Sequence, residues 1–221
     1  MRIAAIYDIH GNLPALEAVL DEIHKHNVEH IVVGGDVVTG PMPVETLDRL
    51  QAESEKTPTS FIHGNAESEV LRCVAGQPIQ GLSPVADELA QWVVSVLRPD
   101  QVQFLASWQT TVELVGKNGR KFLFCHATPQ NDIDVFTQHT QDKKVLSLLG
   151  TVTASTIICG HTHMQFERFI GNIQIVNAGS VGMPFGHTDA AWLLIDQRIT
   201  FKQTEYNLAK AVARIEQTSY F

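Results

Sequence analysis

The sequence predicts an α/β fold made of two mixed β-sheets packed together, with helices on the outside. Three observations carry that prediction. In the first 75 residues, short apolar runs alternate with segments of helical periodicity. Beyond residue 110, paired apolar runs flank short turns, which is the pattern of antiparallel hairpins. No internal repeat, low-complexity tract or Pro/Ser-rich linker interrupts the 221 residues, so a single domain, 1–221, is expected.

The elements follow in order. Residues 2–7 are a short, unbroken apolar run, which suggests a strand buried on both faces. It stops at Asp8-Ile9-His10-Gly11-Asn12. Residues 13–26 carry Leu13, Leu16, Val19, Leu20 and Ile23 at helical spacing. Asn12 is the expected cap, and Pro14 falls in the first turn, where its missing N–H is harmless. Residues 30–34 read as a second strand ending at Gly35-Asp36, and residues 43–53 as a helix. Residues 59–63 form a third strand, ending at Gly64-Asn65. Residues 83–107 read as helical, starting near Pro84 and restarting at Pro99. Within them Trp92, with Leu89 and Val96, makes an apolar stripe suited to core or lid packing. Residues 110–115 and 121–125 flank the turn Gly116-Lys117-Asn118-Gly119-Arg120, and the second of these strands ends at His126. Residues 140–149 are helical, and 155–159 form a strand ending at Gly160-His161-Thr162-His163. Residues 164–170 and 173–177 pair about Gly171-Asn172, and 190–196 pairs with 198–205. Residues 207–217 close the chain as a helix with Leu208, Val212 and Ile215 on one face.

Composition narrows the function. The formal charge of −8 argues against an electrostatic grip on nucleic acid or on an anionic membrane. No apolar run is long enough for a transmembrane helix, and the N-terminal run is too short for a signal peptide. The three cysteines, Cys73, Cys125 and Cys159, lack metal or redox spacing and read as reduced, buried thiols of a cytoplasmic protein. The ten histidines are the informative excess, since imidazole is the commonest metal ligand.

Five strands end in residues able to bind a metal: Asp8 and His10, Asp36, Asn65, His126, and His161 with His163. In α/β sheets, ligands collect beyond the carboxyl ends of strands. The seven residues would therefore converge on one edge. Mixed Asp, Asn and His donors suit Mn, Fe, Co, Ni or Zn better than Ca. Adjacent glycines let backbone approach such a site closely.

Asp8-x-His10, Gly34-Gly35-Asp36, Gly64-Asn65, His126 and Gly160-His161-Thr162-His163 resemble, in order and spacing, the signature of the calcineurin-like metallophosphoesterases. Asn177-Ala178-Gly179-Ser180-Val181-Gly182 resembles a segment of that superfamily's small bacterial and archaeal phosphodiesterase-like branch. The likeness runs through the whole chain. It implies a four-layer architecture and a centre of two divalent transition-metal ions. It assigns Asp8, His10 and His163 to the first ion, Asn65, His126 and His161 to the second, and Asp36 to a bridge. Asn65 would also touch the phosphate. The implied reaction is in-line attack of a metal-bridging hydroxide on the phosphorus of a small phosphorylated substrate. A phosphodiester or nucleotide-type ester is expected. A monoester, a phosphoprotein, or a non-catalytic scaffold or sensor role are the alternatives, and a homo-oligomer is compatible with any of them.

One position departs from the family pattern. Where a histidine is common as general acid, this chain has Ala66, in Gly64-Asn65-Ala66-Glu67. Glu67 is expected as a surface or helix-start carboxylate. His63 and His187 are the candidate replacement donors, His187 because it follows a loop, Met183-Pro184-Phe185-Gly186, able to cover the site. Without a donor, substrates with good leaving groups, or protonation by water, are expected. Residues 127–134 are read as a loop that shapes the pocket or simply leads to the next helix. His24, His26, His30 and His139 are expected to face solvent.

Overall fold

A computed structural model describes residues 1–78, 84–116 and 119–220. The expected start of the fourth helix at residue 83, and Lys117 and Asn118 of the expected hairpin turn, lie outside the described residues. Two five-stranded sheets form the centre of the molecule. The first contains β1 (Ile3–Ile6), β2 (His30–Val33), β3 (Thr59–Phe61), β9 (Ala190–Ile195) and β10 (Ile199–Thr204), in the order β10-β9-β1-β2-β3. The second contains β4 (Thr111–Val115), β5 (Lys121–Cys125), β6 (Thr156–Cys159), β7 (Gln165–Ile170) and β8 (Ile173–Ala178), in the order β4-β5-β6-β8-β7. In each sheet three parallel strands carry antiparallel partners: β1, β2 and β3 in the first, β5, β6 and β8 in the second. Seven helices complete the described chain: α1 (Leu13–His24), α2 (Pro43–Ser54), α3 (Asn65–Val74), α4 (Pro84–Val96), α5 (Pro99–Ala106), α6 (Asp142–Leu149) and α7 (Leu208–Ile215).

Strand alternation distributes the core. Ile3, Ala5 and Tyr7 face inward with Val32, Phe122, Phe124, Ile158, Val176 and Leu193, filling the space between the two sheets. Ala4 and Ile6 face the other way, onto α1 residues such as Leu16 and Leu20. Cys125, Ile157 and Cys159 pack outward onto Val145 and Leu149 of α6. The layers are therefore helices, sheet, sheet and helix. β1 is buried on both faces, which is why its sequence shows no polar alternation. Tyr7 lies wholly buried between the sheets and donates its hydroxyl to Ile158 O at 3.1 Å, tying β1 to β6.

Most element boundaries agree with the sequence within two residues. Asn12 caps α1, its Oδ1 accepting from Ala15 N at 3.2 Å. Trp92 packs against the helical face of the core, as its spacing suggested. Some expectations need correction. Leu208 and Val212 of α7 are largely exposed, and the helix seats itself through Ala211 and Ile215. His26 and His30 are half-buried rather than solvent-facing, and His30 Nε2 meets Ser60 Oγ at 2.9 Å. Cys73 is half-buried, whereas Cys125 and Cys159 are buried; all three are unpaired. No helix among the described residues is long and apolar enough to cross a membrane.

Candidate metal centre

Parallel strands in both sheets present their carboxyl ends at one edge, and the loops that leave them bring the candidate ligands together. The atoms offered by Asp8, His10 and His163 lie within 4.8 Å of one another, as do those of Asp36, His126 and His161. Across the first group His10 Nε2 is 3.1 Å from His163 Nε2, and Asp8 Oδ1 is 3.6 Å from His163 Nε2. Across the second, His126 Nε2 is 3.2 Å from His161 Nδ1 and 3.5 Å from Asp36 Oδ2. Asn65 joins this second group, with Oδ1 3.2 Å from His126 Nε2. All seven residues named from the sequence for this role are therefore brought together.

Ring orientation is set by backbone. His10 Nδ1 donates to Thr39 O at 3.0 Å, His126 Nδ1 to Gly34 O at 2.9 Å, and His163 Nδ1 to Met183 O at 2.8 Å. Each bond leaves the Nε2 lone pair of a neutral ring aimed into the cluster, the usual arrangement behind a metal-binding imidazole. The backbone is also strained. Asp8, His10, Asp36, His161 and His163 all have positive φ, between 48° and 66°, and Asn27 is the one other non-glycine described residue that does. Such conformations cost roughly 1 kcal/mol or more each and persist where surrounding structure fixes them.

That surrounding structure includes residues that sequence reasoning did not assign. Glu67 is fully buried, not on the surface. It does lie in the first turn of α3, but its carboxylate accepts four backbone N–H bonds, from Asp36 at 2.8 Å, Val37 at 2.8 Å, Val38 at 3.2 Å and Gly64 at 2.9 Å. It thereby fixes both the loop of Asp36 and the residue before Asn65. Ser180 Oγ donates to Asp8 O at 2.7 Å and accepts from Met183 N at 2.7 Å. Asn177 Nδ2 donates to Gly160 O at 2.5 Å. The segment after β8 thus fastens the β1 loop to the β6 loop. Gly64 has no room for a side chain, since a Cβ there would stand 2.3 Å from Asp36 Oδ1.

The donor candidates fall differently. His63 lines a cavity beside Asn65, but its Nε2 donates to Leu105 O at 2.7 Å. The loop before His187 does reach the cluster, because Phe185 N donates to His163 O at 3.2 Å. His187 itself turns away to Gln203 on β10, with its Nε2 3.2 Å from Gln203 Nε2, and is not brought to the cluster. Ala66 is buried and gives its N–H to Asp36 Oδ1 at 2.8 Å. The 127–134 loop satisfies both readings: it is closed by Thr128 and Asn131, and it lines a cavity that includes His126.

Burial and charge oppose each other here. Burial would raise the Asp36 carboxyl, but His126 and His10 outweigh it and hold it below the usual carboxylate range. Burial would lower His126, yet Asp36 and Asp8 raise it to about 10. Burial likewise opposes the rise of His163, which the facing Asp8 carboxylate at 3.6 Å and Asp36 produce. Burial dominates at His10 and His161 and lowers both. Burial and the facing carboxylates of Asp36, Asp87 and Asp132 push Glu69 up to about 7.

The cluster fits a cation. Asp8 Oδ1 is buried with no hydrogen-bond partner among the described residues. The position of Asn65 Oδ1 lies 3.1–3.3 Å from His126 Nε2, Asp36 Oδ2 and His161 Nδ1, all atoms with lone pairs. Residues 1–198 match the family model for the calcineurin-like phosphoesterase superfamily domain. The chain belongs to that superfamily. By this membership it is a metal-dependent phosphoesterase, a hydrolase, and the family implies divalent metal ions at the cluster. Phosphodiesterase YfcE of Escherichia coli is 27% identical over 208 residues, 90% of this chain and 89% of that protein. A metallophosphoesterase from Sphaerobacter thermophilus has the same fold, with TM-score 0.77 and 24% identity over 98% of this chain and 93% of its own. Protein PH1004 from Pyrococcus horikoshii OT3 shares it at TM-score 0.83 and 16% identity, covering 97% and 92%.

Proposed function

We propose that the protein hydrolyses a phosphodiester or nucleotide-type phosphoester using two divalent transition-metal ions. The observation that carries the reading is the pair of adjoining triads, Asp8–His10–His163 and Asp36–His126–His161. The first would hold one ion, and His126, His161 and Asn65 the other. Asp36, with Oδ2 4.0 Å from His10 Nε2 and 3.5 Å from His126 Nε2, would be the bridge between them. When bound, two such ions supply an acidified water as nucleophile and neutralise charge on the phosphoryl oxygens.

The chain's own contribution is positional. Thr39, Gly34 and Met183 carbonyls orient three rings, and Glu67 and Ser180 hold the loops that carry Asp36 and Asp8. Asn65 opens α3, whose N-terminal dipole favours the negative charge gathered there. With Ala66 buried and His63 and His187 engaged elsewhere, leaving-group protonation falls to water, and esters with good leaving groups are the expected substrates. The name of the Escherichia coli relative, phosphodiesterase, supports the diester choice. The three unpaired cysteines support a cytoplasmic location.

The reading is tested by stripping the protein of metal and then adding Mn²⁺ with an activated aryl phosphodiester. Metal-dependent hydrolysis is expected, and Asp36→Asn should lower it by a factor on the order of 10² or more. Absence of turnover with Mn²⁺, Fe²⁺, Co²⁺, Ni²⁺ and Zn²⁺ alike would overturn it.

A further inference from the structure

One face of α3 carries more than a candidate metal ligand. Asn65, Ser68, Glu69 and Arg72 occupy positions i, i+3, i+4 and i+7, a single stripe of an α-helix. All four line a cavity of about 370 Å³, with His63 and Asp132 on its other walls. A second cavity of about 190 Å³ shares His63, Ser68 and Asp132 and reaches His126. The cleft therefore starts at His126 of the second triad and at Asn65 beside it, and runs away from them along the helix.

Its polar groups are not used up by the fold. Glu69 is 7% exposed, yet its carboxyl accepts no hydrogen bond from any described residue. The Arg72 guanidinium makes no hydrogen bond or ion pair with any described residue. Asp132 receives one bond, from Ser68 Oγ at 2.5 Å. Because His63 Nε2 donates to Leu105 O, its Nδ1 is left as an acceptor in the neutral ring. An acceptor and a donor fork three residues apart on one helix face are expensive to leave unmatched in a half-buried cleft.

The chemistry of these groups selects the occupant. A second anion is disfavoured, since the carboxylates of Glu69 and Asp132 outnumber Arg72. An apolar group would leave Glu69 and Arg72 unmatched. Hydroxyls fit, because each donates and accepts: a vicinal pair can donate to Glu69 and accept from Arg72 together. We propose that this cleft binds one organic limb of the phosphoester and selects limbs bearing vicinal hydroxyls, such as a glycerol, sugar or ribosyl group. The proposal rests on the phosphoesterase reading above and adds its substrate class.

Two chromogenic diesters test it: 2,3-dihydroxypropyl 4-nitrophenyl phosphate and propyl 4-nitrophenyl phosphate. They share a leaving group and differ only in the two hydroxyls. The 2-hydroxyl can also attack phosphorus itself, giving a 1,2-cyclic phosphate, so the rate counted is that of glycerol phosphate formation above a protein-free Mn²⁺ control. For the Mn²⁺-loaded protein the dihydroxypropyl ester should have the higher kcat/KM, by about tenfold or more, carried in KM. In Glu69→Ala and Arg72→Ala the ratio between the two esters should collapse toward one. Calorimetric binding of glycerol 3-phosphate against propyl phosphate should show the same preference without turnover. Equal treatment of both pairs by the unmodified protein, or a preference that survives both substitutions, would overturn the proposal. If neither ester is hydrolysed, the phosphoesterase reading fails instead, and the binding comparison still decides the subsite.

Discussion

Asp8, His10, Asp36, His161 and His163 hold a backbone conformation that side chains ordinarily avoid, and all five are candidate ligands. Strain concentrated on one constellation of polar residues marks the place where the fold gives up local stability for geometry. Glu67 is the residue that restrains it most directly. Replacing it with Gln turns a four-fold acceptor into a group with donors facing N–H donors. Glu67→Gln should weaken metal affinity by roughly 10- to 100-fold and destabilise the fold by about 1–3 kcal/mol, read by calorimetry and chemical denaturation. Titration at the same residues gives a second expectation. His126, raised to about 10, holds a proton at neutral pH that metal ligation must expel; His163 is shifted up as well, and His10 and His161 are shifted down by burial. Binding of Mn²⁺ at pH 7 to the stripped protein should release on the order of one proton, from His126, measured by calorimetry in buffers of different ionisation enthalpy.

At the scale of elements, the site depends on strands stopping where the next residues must turn. β1, β2, β5 and β6 are short, and the loops after them are held both within each sheet, as by Asp8 N on Gly35 O and Gly160 N on His126 O, and between the two, as by His126 Nδ1 on Gly34 O and Ser180 Oγ on Asp8 O. Ser180→Ala removes the two bonds of Ser180 Oγ, to Asp8 O and from Met183 N, and leaves Gly182 N on Asp8 O. It should cost about 1–3 kcal/mol in stability, and weaken metal binding because Met183 O orients His163. The contact between Asp36 after β2 and His126 after β5 has a pH signature. Asp36 is depressed from 3.8, so its contribution is present above that value and lost as pH falls through its folded pKa. His126 is raised from 6.5 to about 10, so its contribution is complete below 6.5 and lost as pH rises through about 10. The stripped protein should therefore lose stability between pH 6.5 and 10, and His126→Asn should flatten that slope in thermal melts at stepped pH. Of these elements α3 was the hardest to bound from sequence, although its first residue was singled out. Its buried positions include Glu67 and Glu69, which periodicity counts as solvent-facing.

For the whole molecule, two sheets share one core and one functional edge, so stability and metal binding are linked. Divalent metal at a hundredfold excess over its Kd should add about 2.7 kcal/mol for one site, seen as a rise in Tm that a chelator reverses. Tyr7 links the sheets directly. Tyr7→Phe removes the hydroxyl donor to the Ile158 carbonyl, leaving only the weaker Cys125 Sγ contact at 3.8 Å, and should cost about 1 kcal/mol in denaturant unfolding with m unchanged. The acidic surface implied by a net −8 coexists with a pocket built to receive cations, so the overall charge says little about the substrate of that edge.

The division of the seven candidate ligands into two groups is what the family resemblance implied. The order of strands and helices and the ligands themselves follow from the sequence alone. Those features are written locally, in apolar runs that end on Asp, Asn or His beside glycine. Only the tertiary structure decided which side chains support them. Glu67 reads as an ordinary helix-start acid until the β2 loop folds over it. His187 reads as a site residue until β10 draws it to Gln203. Leu208 and Val212 read as a buried face until α7 seats on Ala211 and Ile215. In each case the partner lies many residues away, and neither periodicity nor spacing encodes which distant group a side chain will meet.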